Sequence, residues 1–249
     1  MDRPAYTKKD LIVVLGCVVF VFANLGAVGS TGRRRAKEAV CLSNLLRWAV
    51  IWKAYTEDTN GYFPKRGGGW DWPSLGAWCQ AAWPYYRNPK LPLCPAATKP
   101  WVKGGTYPFA AWSYEEWDYE TMYAGSYCMN FWLADSPDYR FWRTPYVSNA
   151  ASVPLLLDGN WKDAEPCESD EPFPTREQMV FEGWTPNAHE MRRVCIDRHG
   201  AYVNACFLDF SAGRIGLKHL WRMPWHREWD MDYPLPVWPE WMQNFEDPE

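Results

Sequence analysis

The chain has 249 residues, enough for one domain of ordinary size plus an appended segment, and its 47% hydrophobic content excludes wholesale disorder. Net charge is −4, but seven of the 26 Lys/Arg and only two of the 30 Asp/Glu fall in residues 1–37. That leaves 19 basic against 28 acidic residues (26 less seven, 30 less two), a net of −9 on the remainder, which is the wrong sign for phosphate neutralisation and argues against nucleic acid as a partner.

Residues 1–10 form a short leader-like segment containing Arg3, Lys8, Lys9 and Asp10. Residues 11–29, LIVVLGCVVFVFANLGAVG, carry no charge, and 19 helical residues span about the 30 Å of a hydrocarbon core. The sequence therefore predicts a transmembrane segment there, a secretory signal being the weaker alternative because the pattern beyond it stays helical. Basic residues flank both ends (Arg3, Lys8 and Lys9; Arg33, Arg34, Arg35 and Lys37), so charge alone leaves the orientation open. In residues 30–61, Cys41, Leu45, Trp48, Trp52 and Tyr55 recur at intervals of four and three, which aligns them on one helix face for packing against a head. Asn60-Gly61 ends the helix. One helix of about 50 residues, a transmembrane half followed by an amphipathic half, is the predicted spine. Its assembly face would include Asp10, Leu11, Val14, Val18, Val21 and Leu25.

Residues 62–249 form a Trp-rich head. Residues 72–83 suggest a short helix, and four prolines between 84 and 95 suggest a loop. Residues 153–157 read as a strand ending at Asp158-Gly159, and 160–188 as an acidic insertion. Residues 193–196, 201–208 and 214–217 read as further strands, the last two separated by a turn at 211–213, giving an antiparallel meander on the helix. The tail from 220 to 249 holds five Trp and five Pro and has no regular period. The fold class is thus α+β.

Seven of the eight cysteines lie outside the apolar segment, without CxxC or zinc-type spacing. Pairing of Cys195 with Cys206 across a hairpin, and of Cys94 with Cys128, are the candidate disulfides; connectivity is open. Asp158, His199 and Asp209 fall near strand ends, where they could serve acid–base chemistry or hold a metal. The simpler reading makes the aspartates turn residues and has His199 bond the backbone or Asp209. No nucleophile elbow, HExxH, phosphate loop or dinucleotide fingerprint occurs, so no catalysis, cofactor or metal is expected. Residues 165–171 have oxygens suited to Ca²⁺ but no EF-hand spacing, and no ligands are assigned. Eighteen Trp suit a core and interfaces, with carbohydrate stacking the alternative use.

The run RRRAKEAVCLSNLLRWAVIWKAYTEDTNGYFP resembles the N-terminal region of type IV pilins and type II secretion pseudopilins. Ala36, Glu38, Cys41, Asn44, Leu45, Tyr55, Asp58, Gly61, Phe63 and Pro64 carry the likeness, with Cys94-Pro95, Ser126-Tyr127-Cys128-Met129-Asn130, and His199 ten residues before Asp209. The motif residues are therefore Cys94, Asn130, His199 and Asp209. The resemblance implies a pilin-like fold and a structural subunit of a pilus-like or pseudopilus-like filament. Its partners would be copies of itself, the inner membrane and assembly machinery, and its head would lie outside the cytoplasm. The departures are Ala5 before Tyr6 at the usual processing point, Asp10 in place of glutamate, Lys8 and Lys9 in a normally apolar stretch, and Phe210 in place of glycine. The alternative is a membrane-tethered, extracytoplasmic head that binds glycans through exposed aromatics.

Overall fold

A computed structural model describes residues 7–67, 78–115, 122–179 and 189–248, the side chains at 23–28, 30, 114–115 and 122–123 excepted. Tyr6 and its preceding Ala5, the side chain of Leu25 and residues 72–77 of the predicted short helix lie outside what is described.

Helix α1 (Lys8–Asp58) is continuous over 51 residues. Its first turn is closed by a reciprocal capping box. The Asp10 N–H donates to Thr7 Oγ1, and the Thr7 N–H donates to Asp10 Oδ2 at 2.8 Å. Asp10 is therefore occupied locally, and its bonds to Thr7 hold its carboxyl below the ordinary value. At the other end Asn60 and Gly61 take positive φ and turn the chain away. Cys41, Leu45, Trp48, Trp52 and Tyr55 are all buried, and this face lies across the strands β5, β7 and β8 described below. Leu11, Val14, Val18 and Val21 are 42–70% exposed, so the first part of α1 projects from the head with apolar side chains outward.

The head contains two sheets. One orders β1 (Lys99–Pro100), β2 (Ala110–Glu115) and β3 (Met122–Gly125). The other has the order β6-β4-β5-β7-β8, built from β4 (Tyr127–Asn130), β5 (Pro154–Asp158), β6 (Asp163–Ala164), β7 (Tyr202–Phe207) and β8 (Ala212–Gly216). β1 runs parallel to β2 and β6 parallel to β4; the other pairs are antiparallel.

The predicted architecture, a transmembrane spine under an antiparallel pilin-like head, is corrected on both counts. Among the described residues no helix is long and apolar enough to cross a membrane, which removes the support for a transmembrane segment at 11–29 and for inner-membrane placement. The sheets are mixed, because short strands from the Pro-rich and acidic segments add parallel edges. Residues 193–196 form no strand. A 3-10 turn, Glu190–Arg193, draws the Arg193 guanidinium onto Glu190 at 2.9 Å, and Val194, Cys195 and Ile196 fill the core behind it. The 160–188 segment is more than an insertion, since it supplies β6. The turn predicted at 211–213 falls earlier, at 208–211: Phe210 has φ 66°, and Asp209 Oδ1 accepts from the Ser211 N–H and hydroxyl.

Aromatic side chains make the joint between helix and head. Trp48 meets Trp78 edge-on at 5.0 Å and Tyr86 at 4.8 Å, and its indole N–H donates to the Leu91 carbonyl. The tail wraps the far side, where Trp225 is fully buried and its carbonyl accepts from both Asn130 Nδ2 and Trp142 Nε1.

A buried Cys, Cys, Asp, His cluster beneath the helix

Four chemically active side chains from four parts of the chain converge where α1 enters the head. Cys41 lies on the buried face of α1. Cys94 follows the Pro-rich loop, its backbone N–H bound to the Ser126 hydroxyl and its carbonyl closing a turn with Ala97. Asp158 is the last residue of β5, opposite Tyr127 on β4. His199 sits in the turn before β7, where Gly200 takes φ 92° and its N–H reaches the Asp197 carbonyl.

The four ligand-type atoms all lie within 4.8 Å of one another. Asp158 is the hub. Its Oδ1 accepts from Arg198 Nη1 at 3.1 Å and from the Cys41 thiol at 3.4 Å; its Oδ2 accepts from the Asn204 N–H at 3.0 Å and from His199 Nε2 at 3.2 Å. The same Nε2 lies 3.5 Å from Cys94 Sγ, and the Tyr127 hydroxyl lies 3.5 Å from Cys41 Sγ. Cys41, Cys94 and Asp158 are fully buried and His199 is 7% exposed.

The electrostatics follow from this packing. Burial would raise the Asp158 carboxyl, but His199, Arg198 and the Asn204 N–H together hold it below the ordinary value. Burial would lower His199, but its contacts with Asp158 and Cys94 outweigh that and raise it to about 9. The bond from Cys41 and the neighbouring His199 and Arg198 bring Cys94 down to about 6 against the cost of burial, while burial pushes Cys41 up.

Arg198 ties this cluster to both sheets. Its guanidinium donates to the carbonyls of Pro108, Ser126, Ala110 and Gly159 as well as to Asp158. Sequence reasoning passed over it, because a lone arginine beside a turn reads as surface. The cluster itself was equally hidden, since its members are far apart in the chain.

The arrangement is not that of a Cys–His–Asp relay. A Cys–His–Asp relay needs the two ring nitrogens on opposite partners, whereas here one nitrogen, Nε2, faces both Cys94 and Asp158. Two surface grooves, one lined by Leu46, Val50, Ile51 and Tyr86 and one by Phe207, Arg214 and Met231, are built from other residues.

The remaining predicted residues separate. Asp209 belongs to its own turn, and His199 turns to Asp158 and Cys94 instead. Asn130 is buried and bridges the Pro154 and Trp225 carbonyls while accepting from the Trp132 N–H. All eight cysteines are free thiols, so neither Cys195–Cys206 nor Cys94–Cys128 is bridged. Cys206 pairs in register with Leu156 and Ala212, and Cys195 packs in the segment that the 3-10 turn pulled out of the sheet. Among the described tryptophans only Trp83 and Trp101 are exposed, each 46%; most of these indoles go to the core.

Comparison with protein-family models, with curated proteins and with solved structures finds no match.

Proposed function

We propose that the protein is a structural subunit that assembles with copies of itself into a pilus-like filament through the projecting part of α1. The observation that carries this reading is the exposure of Leu11, Ile12, Val14, Leu15, Val18, Val19 and Val21 on a helix whose later half is anchored in the head. Burying one such side chain contributes about 1.5 kcal/mol or more, so a helix that presents this many in sequence is stabilised by lateral packing against its equivalents. The exposed apolar residues point around the helix rather than along one stripe, which suits a bundle of several copies better than a two-helix pair. Head-to-tail repetition of one contact then generates an open helical array.

The test is sedimentation velocity and negative-stain electron microscopy of the purified full chain beside Val14→Asp and Val18→Asp. Wild type should form filaments or large oligomers, and the two variants should stay monomeric with an unchanged urea midpoint, because these side chains do not support the head. Val237→Asp, at a tail position 95% exposed, should assemble like wild type. A wild-type chain that remains monomeric at every attainable concentration would refute the reading.

A further inference from the structure

We propose that Cys41, Cys94, Asp158 and His199 bind one zinc-class divalent ion in a closed tetrahedral site that fastens α1 to the head. The site is independent of filament assembly.

The donor set is the first argument. Two thiols, an imidazole and a carboxylate select a borderline-soft ion such as Zn²⁺, whereas Ca²⁺ and Mg²⁺ take six or more oxygens. Geometry is the second. With metal–sulfur bonds of about 2.3 Å and metal–nitrogen or –oxygen bonds of about 2.0–2.1 Å, a tetrahedron has edges of about 3.5 Å between sulfur and nitrogen or oxygen, and about 3.3 Å between nitrogen and oxygen. The observed edges are 3.5 Å for Cys41 Sγ to Asp158 Oδ2, 3.5 Å for Cys94 Sγ to His199 Nε2, and 3.2 Å for His199 Nε2 to the same Oδ2.

Charge is the third argument. Two thiolates and a carboxylate bring three negative charges to a buried spot, and a divalent ion with the Arg198 guanidinium balances them to zero. The outer shell fits too: Arg198 and the Asn204 N–H orient the Asp158 carboxylate, and the Tyr127 hydroxyl faces the Cys41 sulfur. Four protein ligands and near-complete burial leave no open position, so the ion is structural. Binding releases the protons carried by the two sulfurs and by His199 Nε2 and forms four metal–ligand bonds, with no redox change.

The rival for the same atoms is a Cys41–Cys94 disulfide, and one experiment separates the two. The full chain, purified without chelator, is analysed for zinc by elemental mass spectrometry and for free thiols by alkylation and peptide mapping. It is then reloaded with Co²⁺ as the spectroscopic probe. The expected result is one metal per chain, with Cys41 and Cys94 reduced and protected until metal is removed. The cobalt form should show thiolate charge-transfer and intense tetrahedral d–d bands. Cys94→Ser should lower the charge-transfer intensity by about half, since one of two thiolates is gone. Joint replacement of the exposed Cys17 and Cys167 by serine should leave the spectrum intact. Should Cys94→Ser fail to fold, metal content and thiol state of the wild-type chain decide alone. A Cys41–Cys94 disulfide, two reduced thiols without metal, or a weak octahedral cobalt spectrum would each overturn the proposal.

Discussion

Replacing Arg198 by methionine removes a cation whose side chain, like that of its partner Asp158, has no solvent exposure. The guanidinium donates five hydrogen bonds, one to the carboxylate at 3.1 Å and four to carbonyls, those of Ser126 and Gly159 at 2.6 and 2.9 Å among them. Removing one partner of a buried ion pair costs about 3–5 kcal/mol, and His199 and the Asn204 N–H, which stay on the carboxylate, put this loss at the lower end. The deserted carbonyls deepen the loss, each by up to about 1 kcal/mol. With a urea slope of about 3 kcal/mol/M, the midpoint should fall by at least about 1 M. The assay is urea unfolding followed by tryptophan fluorescence and circular dichroism, with chelator present so that no metal contributes. The double variant Arg198→Met/Asp158→Asn should recover about 1–3 kcal/mol relative to the sum of the two single losses, because no buried carboxylate then lacks its guanidinium partner. A single-variant loss below about 1 kcal/mol, or simple additivity in the double variant, would refute the view that Arg198 is the electrostatic support of Asp158 and the tie between the sheets.

Gly125→Ala would drive a methyl group into the ring of Trp112, its cross-strand partner, which is 1% exposed; urea unfolding should show a loss of about 1–3 kcal/mol. Asn130→Ala takes the Asn130 partner from the Pro154 carbonyl and the Trp132 N–H in the core and leaves the Trp225 carbonyl with Trp142 alone, and it should cost about 2–3 kcal/mol in the same assay. Burial raises the Asp170 carboxyl to about 7, against the lowering effect of the Cys167 and Met191 N–H groups. The folded chain thus holds that proton more tightly than the unfolded chain, whose carboxyl titrates near about 3.9. This contribution to stability is full below about pH 4 and is lost as pH rises through about 7. Asp170→Asn should therefore flatten the fall in stability across that window, measured as urea midpoint against pH, and an unchanged slope would reject the assignment.

Local pattern determined what depends on near neighbours. The period of Cys41, Leu45, Trp48, Trp52 and Tyr55 marks a helix face because side chains three and four apart share one side of the cylinder. The runs at 153–157 and 201–208 mark strands because β-branched and apolar residues suit a buried ladder. Asn60-Gly61 marks the stop because both residues tolerate positive φ. Apolar composition at 11–29, by contrast, spoke only to hydrophobicity, and the described helix does not qualify as a membrane span.

Tertiary structure alone decided the rest. The parallel edges β1 and β6 are two-residue strands, too short to leave a period, and they exist because a distant segment offers unpaired backbone groups. Residues 193–196 had strand composition, but the pull of Glu190 on Arg193 and the fit of Val194 and Ile196 to the core outweighed local propensity. His199 and Asp209 were linked by spacing and separated by the fold. Cys41, Cys94, Asp158 and His199 were separated by spacing and joined by the fold, because the helix, a Pro-rich loop, a strand end and a turn all close on one point. A site assembled from four remote segments leaves no trace in any window of sequence, since the energy that brings its members together comes from packing the aromatic core around them.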